Sequence, residues 1–413
     1  MRTSWLIKNA TILDRNSPYN KQALDLHIHH GVITDIGRNL NPSSRVKIIE
    51  ESELYLTPGW LDLRSKAPDP GNEVVESIAS MSESARLGGY ISVLYHPTGV
   101  SADSAAILRY VQSASAAGGV KLYTAGPYSE GRNGKQLTEM FDLQREGAKV
   151  FSDVDRLASN ELLSRVLEYA RDFDGRIFLF PLESYRGGQI HEGVTSVATG
   201  LSGIPVWMET LAVQRIITLS KYYDTPVHLE LIAAAESVEL IRAAKRSGVK
   251  ITCGVSALHL MFTDASLETF DSNLKLIPPL RSQEDRKALV KGLREGVIDV
   301  VVSDHTPVDV EHKQCEFDHA DWGAISLQHA FLTALNGCGK SIELIDLVEK
   351  FSFFPYQIIG LNAPVIDLNC PAHISCFSTS GETQVRATQL ASMACNTPLI
   401  GSTLRGQIFP LLD

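Results

Sequence analysis

The chain has 413 residues, 44% of them apolar and 21% charged, with a formal net charge of −10. That balance is typical of a globular protein with room for a barrel of roughly 250 to 300 residues and a smaller module. The acidic charge excludes nucleic acid as an expected partner, since phosphate binding needs clustered Lys and Arg, and the short, interrupted apolar runs make a membrane span unexpected.

Met1-Arg2-Thr3-Ser4-Trp5 leads into a strand-like run, Trp5 to Leu13, without an apolar signal core. Leu24 to Ile28 and Val32 to Ile36 read as strands flanking a turn at His30-Gly31. The middle of the chain alternates. β-rich runs at Tyr90 to Tyr95, Arg176 to Phe180, Pro226 to Leu231, Val249 to Cys253 and Ile298 to Val302 are separated by helical patterns. One such pattern, Glu236 to Ser247, sets Val238, Leu240, Ile241 and Ala244 as its apolar face, with Gly248 as a stop. Strands alternating with helices imply a parallel sheet with right-handed crossovers. At this length the expectation is an α/β chain with a (β/α)8 TIM-type barrel, its active site at the C-terminal strand ends. Ala372 to Phe377, Thr383 to Ala387 and Gly401 to Phe409 are further strand candidates. Two β-rich ends predict a small β-sandwich formed from both chain termini, residues 1–57 and 365–413, around a barrel over 58–364. Cys253, Cys315, Cys338, Cys370, Cys376 and Cys395 show no CxxC spacing, which fits a cytoplasmic chain with reduced thiols.

Several stretches, in order along the chain, resemble the dihydroorotase family of the amidohydrolase superfamily. They are Thr57-Pro58-Gly59-Trp60-Leu61-Asp62, Asp69-Pro70-Gly71, Gly88-Gly89-Tyr90, Phe151-Ser152-Asp153, Gly187-Gly188 to Gly193, and Gly203-Ile204-Pro205. Ser237 to Ile241, Pro278-Pro279-Leu280-Arg281-Ser282, Ser303-Asp304-His305-Thr306-Pro307 and Asn396-Thr397-Pro398 continue the series, so the resemblance runs from about Ile7 to Ile408. It implies a barrel that hydrolyses a cyclic amide. One or two divalent metals, zinc where the enzyme is active, would polarise the carbonyl and turn water into hydroxide.

The family's metal ligands are largely missing. Its Asp-x-His-x-His-x-Arg reads Asp62-Leu63-Arg64-Ser65-Lys66-Ala67-Pro68, so two ligand histidines are Arg64 and Lys66 and the substrate-gripping arginine is Pro68. Pro181 and Leu231 stand at two further histidine positions. Asp304 aligns with the aspartate that binds metal and shuttles the proton. Asp153 aligns with the bridging carboxylate, within a one-residue ambiguity introduced by Val154-Asp155. Substrate contacts are depleted as well. Pro97-Thr98-Gly99 replaces Pro-Asn-Thr, Val308 replaces a histidine, and Ile277 replaces an asparagine, while Asn273 is kept.

Alternation along a strand aims Arg64 and Lys66 into the barrel mouth, where they are expected to balance Asp153 and Asp304 in place of metal. Asp25-Leu26-His27-Ile28-His29 mimics the histidine motif but precedes the Pro58-Gly59 entry by ~30 residues, so these read as strand histidines with no converging ligands. His228 and His259 read as core or rim residues, and Gly187-Gly188 as a turn without phosphate-loop context. The resemblance implies a catalytically silent homologue, in homo-oligomeric form, acting as a structural partner of aspartate transcarbamoylase. Two alternatives stand beside it: an active cyclic amidohydrolase with a rebuilt site, and a metal-free binder of an acidic small molecule held by Arg64 and Lys66.

Overall fold

A computed structural model describes residues 4–42, 46–117, 119–183 and 187–411. Met1, Arg2 and Thr3 of the N-terminal run, and the outermost residues of the expected terminal module, lie outside the described residues.

The strands, in chain order, begin with β1 (Trp5–Ile12), β2 (Ala23–His29), β3 (Val32–Gly37), β4 (Lys47–Ile49) and β5 (Leu54–Pro58). Next come β6 (Trp60–Ala67), β7 (Tyr90–Pro97), β8 (Lys121–Gly126), β9 (Ala148–Phe151) and β10 (Ile177–Leu179). The short pair β11 (Ile190–His191) and β12 (Gly203–Ile204) precedes β13 (Val227–Leu229), β14 (Ile251–Ser256) and β15 (Val300–Val302). The chain closes with β16 (Ile374–Gln384) and β17 (Thr403–Ile408).

Both ends of the chain build one sheet in the order β17-β16-β5-β1-β2-β3, with β4 beside β1. The β2–β3 hairpin turns at His30 and Gly31, both at positive φ (53° and 80°), as a two-residue connection matching the strand twist demands. The two strands expected at Ala372–Phe377 and Thr383–Ala387 are one long strand, β16. It stays continuous because its pairing with β17 shifts register between Ser378 and Glu382, with Gly381 at φ 75° absorbing the irregularity. Ile7, Ile12, Leu26, Ile28, Leu56 and Cys376 form the core of this module.

The barrel sheet runs β6-β7-β8-β9-β10-β13-β14-β15 and its neighbours are parallel. It closes where β15 meets β6. The buried Asp62 carboxylate accepts the Ser303 N–H at 2.7 Å and the Ser303 hydroxyl at 2.8 Å, and His305 bridges to Ser65. Strands covered on both faces read as continuous apolar runs, as Val300-Val301-Val302 does. Leu63, Leu94, Phe178, Phe180, Leu231 and Val302 fill the interior.

The helix Ala235–Arg246 buries Val238, Ile241 and Ala244 and ends before Gly248 at φ 80°. Leu240, expected on the same face, is only half-buried. It lies two residues from Val238, about 200° around a 3.6-residue helix.

Trp60 joins the two modules. Its ring stacks 4.2 Å from Phe331 and lies 5.7 Å from Phe377 of β16 and 5.9 Å from Tyr90 of β7. Its indole N–H donates to Thr57 Oγ1 at 2.9 Å, so the polar tip of a fully buried side chain is satisfied.

Candidate functional site

The site lies at the C-terminal strand ends and starts from an irregularity in β6. The register pairs Asp62 with Val93 and then Ser65 with Tyr95, so Leu63 and Arg64 together oppose Leu94. Two residues opposite one is a β-bulge, a device that re-aims side chains next to functional sites. Past the bulge, Lys66 pairs with His96. Asp62 stays below it, tied to Ser65, Ser303 and the Arg64 N–H, and burial pushes its carboxyl above the usual value despite these hydrogen bonds.

Arg64 is 1% exposed and all three of its nitrogens meet carboxylates. Nε lies 2.9 Å from Asp304, Nη2 donates to Asp155, and Nη1 pairs with Glu230. Lys66 Nζ donates to both Asp155 oxygens at 2.9 Å and lies 3.8 Å from Asp304. Asp155 follows β9, Glu230 follows β13 and Asp304 follows β15, so three strand ends converge on one guanidinium. Phe180 packs 5.3 Å from the guanidinium carbon. Ser152 donates to Glu230 and fixes its other oxygen.

Desolvation beside the barrel interior raises the Asp155 carboxyl, but Lys66 and Arg64 outweigh it and hold Asp155 below its ordinary range, although its side chain stays 41% exposed. His96, buried with Nε2 3.2 Å from Leu63 O, is pushed well below the usual imidazole value by burial and by Arg64. Charge-assisted bonds of this kind offset the cost of burying ions that would be prohibitive singly.

Some of the residues singled out in sequence meet here and others do not. Arg64, Lys66 and Asp304 meet. The expected partner Asp153 stands apart: its carboxylate accepts the Tyr128 and Ser129 N–H groups at 3.1 Å each and the Ser129 hydroxyl, and burial raises it to about 6. Asp155 lies beside the cations instead, because Val154 adopts a left-handed backbone (φ 61°) that turns the chain between the two aspartates. Glu230 was not anticipated. Its signal was available, since Glu230 adjoins Leu231, itself a singled-out position at the end of its strand.

Leu231 belongs to the apolar interior and Pro181 is buried. Asn273 sits on the turn Ser272–Leu274 with its N–H on Asp271, and no hydrogen bond among the described residues links it to the cluster. His228 bonds Thr252 at 2.9 Å and is lowered to about 3, chiefly by burial. His259 bonds Pro278 O at 3.0 Å, and His27 bonds Asp35 in the terminal sheet.

The donor set does not fit a metal of the kind the resemblance implies. Protonated guanidinium and ammonium nitrogens have no lone pair, and Pro181 and Leu231 carry no donor atom. Among the described residues, no group of three or more His, Cys, Asp or Glu side chains is arranged to hold a metal ion. The cluster is equally unsuited to an acidic ligand, since both cations are engaged by three carboxylates. No helix among the described residues is long and apolar enough to cross a membrane.

No family model matches the chain. It is 33% identical over 411 residues to a dihydroorotase of Acetivibrio thermocellus, covering 98% of this chain and 96% of that protein. It is likewise 33% identical over 409 residues to a dihydroorotase of Ruminiclostridium cellulolyticum, covering 97% and 95%. Among solved structures, L-hydantoinase (dihydropyrimidinase) from Arthrobacter aurescens superposes with a TM-score of 0.82 at 20% identity, covering 99% of this chain and 94% of that one. Dihydropyrimidinase from Brevibacillus agri NCHU1002 superposes with a TM-score of 0.78 at 17% identity, covering 100% and 94%. At these identities the structural likeness establishes the fold alone.

Proposed function

Because the chain belongs to the dihydroorotase family, we propose that it is a non-catalytic member, serving cytoplasmic pyrimidine biosynthesis as a structural partner of an aspartate transcarbamoylase. The observation that carries this reading is the guanidinium of Arg64 at the centre of the barrel mouth, engaged at once by Asp155, Glu230 and Asp304.

Hydrolysing a cyclic amide needs a strong nucleophile and an electrophile on the carbonyl oxygen. Arg64 and Lys66 carry cationic charge, but among the described residues no group around them is arranged to hold a metal that would generate hydroxide at neutral pH. Asp304, the remaining candidate base, is held 2.9 Å from Arg64 Nε, so its carboxylate is engaged by a cation instead of standing free to meet a water. By the same resemblance, Ile277, Val308 and Pro68 stand where polar groups would grip substrate. A barrel retained with ion pairs at the centre of its mouth is consistent with selection for shape and surface, the properties an assembly partner needs.

Two measurements test the reading. The purified chain, dialysed against zinc, is expected to retain it well below one ion per chain. Dihydroorotate turnover at ~1 s⁻¹ or more, lost in Asp304→Asn, refutes the non-catalytic role. The partnership is tested by sedimentation of a mixture with the transcarbamoylase from the same organism, where a larger joint species is the expected result.

A further inference from the structure

We propose that a partner protein presenting large apolar side chains flanked by Lys or Arg docks on the groove between the helices Trp207–Tyr223 and Ala235–Arg246; that this partner is the transcarbamoylase rests on the role proposed above. Trp207 and Leu211, four residues apart on the first of these helices, are 53% and 55% exposed. Residues at this spacing share a helix face. Large apolar side chains gathered and left open on a folded chain mark an interaction surface.

Trp207 and Leu211 form one wall of a groove of about 900 Å³, and Leu240 lies on the other. This explains Leu240's position off the buried face of its own helix.

The groove is built before any partner arrives. Glu209, fully buried on the first helix, accepts the N–H groups of Ala233 and Ala234 at 2.9 Å each, at the start of the second. Asp285 accepts the Ala235 N–H at 2.8 Å, and Arg281 pairs with Glu209 at 3.4 Å. The walls are therefore held at a set spacing, which reduces the ordering cost of binding.

Charge decides the occupant. The charged side chains along the groove are Glu236 and Glu239; Glu239 shares Arg242 at 3.1 Å yet remains 65% exposed. In a twofold pairing of two copies the same patch meets itself, so glutamates would face glutamates between chains that each carry a net charge of −10. The occupant that fits is a different protein, presenting one or two large apolar side chains flanked by Lys or Arg. Trp207 supplies the kind of anchor that dominates such interfaces.

The test uses the full chain and the transcarbamoylase from the same organism, with affinity read by calorimetry and self-association by sedimentation of the chain alone. Leu211→Glu is expected to weaken the complex by about 30-fold or more without changing the melting temperature. Glu236→Lys with Glu239→Lys is expected to weaken it more at low salt than at high salt. Val310→Glu, on an exposed loop elsewhere, should leave affinity unchanged. If the wild-type chain binds and Leu211→Glu binds equally well, the groove assignment is overturned while the partnership stands. If the wild-type chain does not bind, the partnership fails and takes the groove with it. Self-association of the chain that Leu211→Glu abolishes would make the groove a homotypic interface and overturn the proposal.

Discussion

Replacing Arg64 by Met tests whether the cation holds the barrel mouth together. The substitution keeps length and apolar bulk beside Phe180 but removes the partner of three carboxylates. Glu230 and Asp304 are 2% and 6% exposed, so they would be left buried with only Lys66 nearby, 3.8 Å from Asp304. Removing one side of a buried ion pair costs about 3 to 5 kcal/mol, mostly from the uncompensated charge. At about 2 °C or less per kcal/mol for a chain longer than 250 residues, that is a fall in Tm of up to ~10 °C. Urea unfolding at pH 7 should show the loss in the midpoint. Protonation removes the stranded charges, so the loss should shrink on acidification. Arg64→Met combined with Glu230→Gln and Asp304→Asn should regain most of it, because removing both sides of a buried pair is close to neutral. A single variant within ~1 kcal/mol of wild type, or a triple variant no better than the single, would refute an electrostatic role for Arg64.

Asp153, raised to about 6 from 3.8 by burial, binds a proton in the folded chain at pH values where the unfolded chain has lost it. Stability should therefore fall as pH rises from about 4 to 6, by roughly 3 kcal/mol in total. Asp153→Asn keeps an acceptor for the Tyr128 and Ser129 N–H groups, so urea midpoints measured from pH 4 to 8 should lose this slope; an unchanged slope assigns it elsewhere. Trp60→Ala should cost about 3 to 5 kcal/mol, with Trp60→Phe restoring part of it, since the ring packs against both modules. A loss under ~1 kcal/mol on chemical denaturation would show that the aromatic cluster does not couple them.

The sequence by itself determined the barrel, the union of the two chain ends and the two cations of β6. These follow from local properties. Val300-Val301-Val302 has no polar face, so it must be a strand covered on both sides. Positive φ at His30 and Gly31 suits a two-residue hairpin. Arginine and lysine at residues 64 and 66 carry protons where ligand lone pairs would be required. Alternation brought both cations to the mouth in principle, but it treated β6 as regular and did not contain the bulge at Leu63 and Arg64.

Tertiary structure decided which carboxylates meet those cations. Asp153 and Asp155 are two residues apart and chemically alike. The left-handed turn at Val154 sends one to the Tyr128–Ser129 backbone and the other to Lys66. Glu230 joins only because β10 and β13 lie side by side near β9, a neighbourhood of residues more than seventy positions apart in the chain. The groove beside Trp207 is likewise a tertiary fact. An exposed Leu211 and a half-buried Leu240 read as ordinary helix residues until buried Glu209 fixes the two helices side by side. Apolar periodicity within one element is written in neighbouring residues, whereas the pairing of charges across elements depends on a few ångströms set by the packing of the whole barrel.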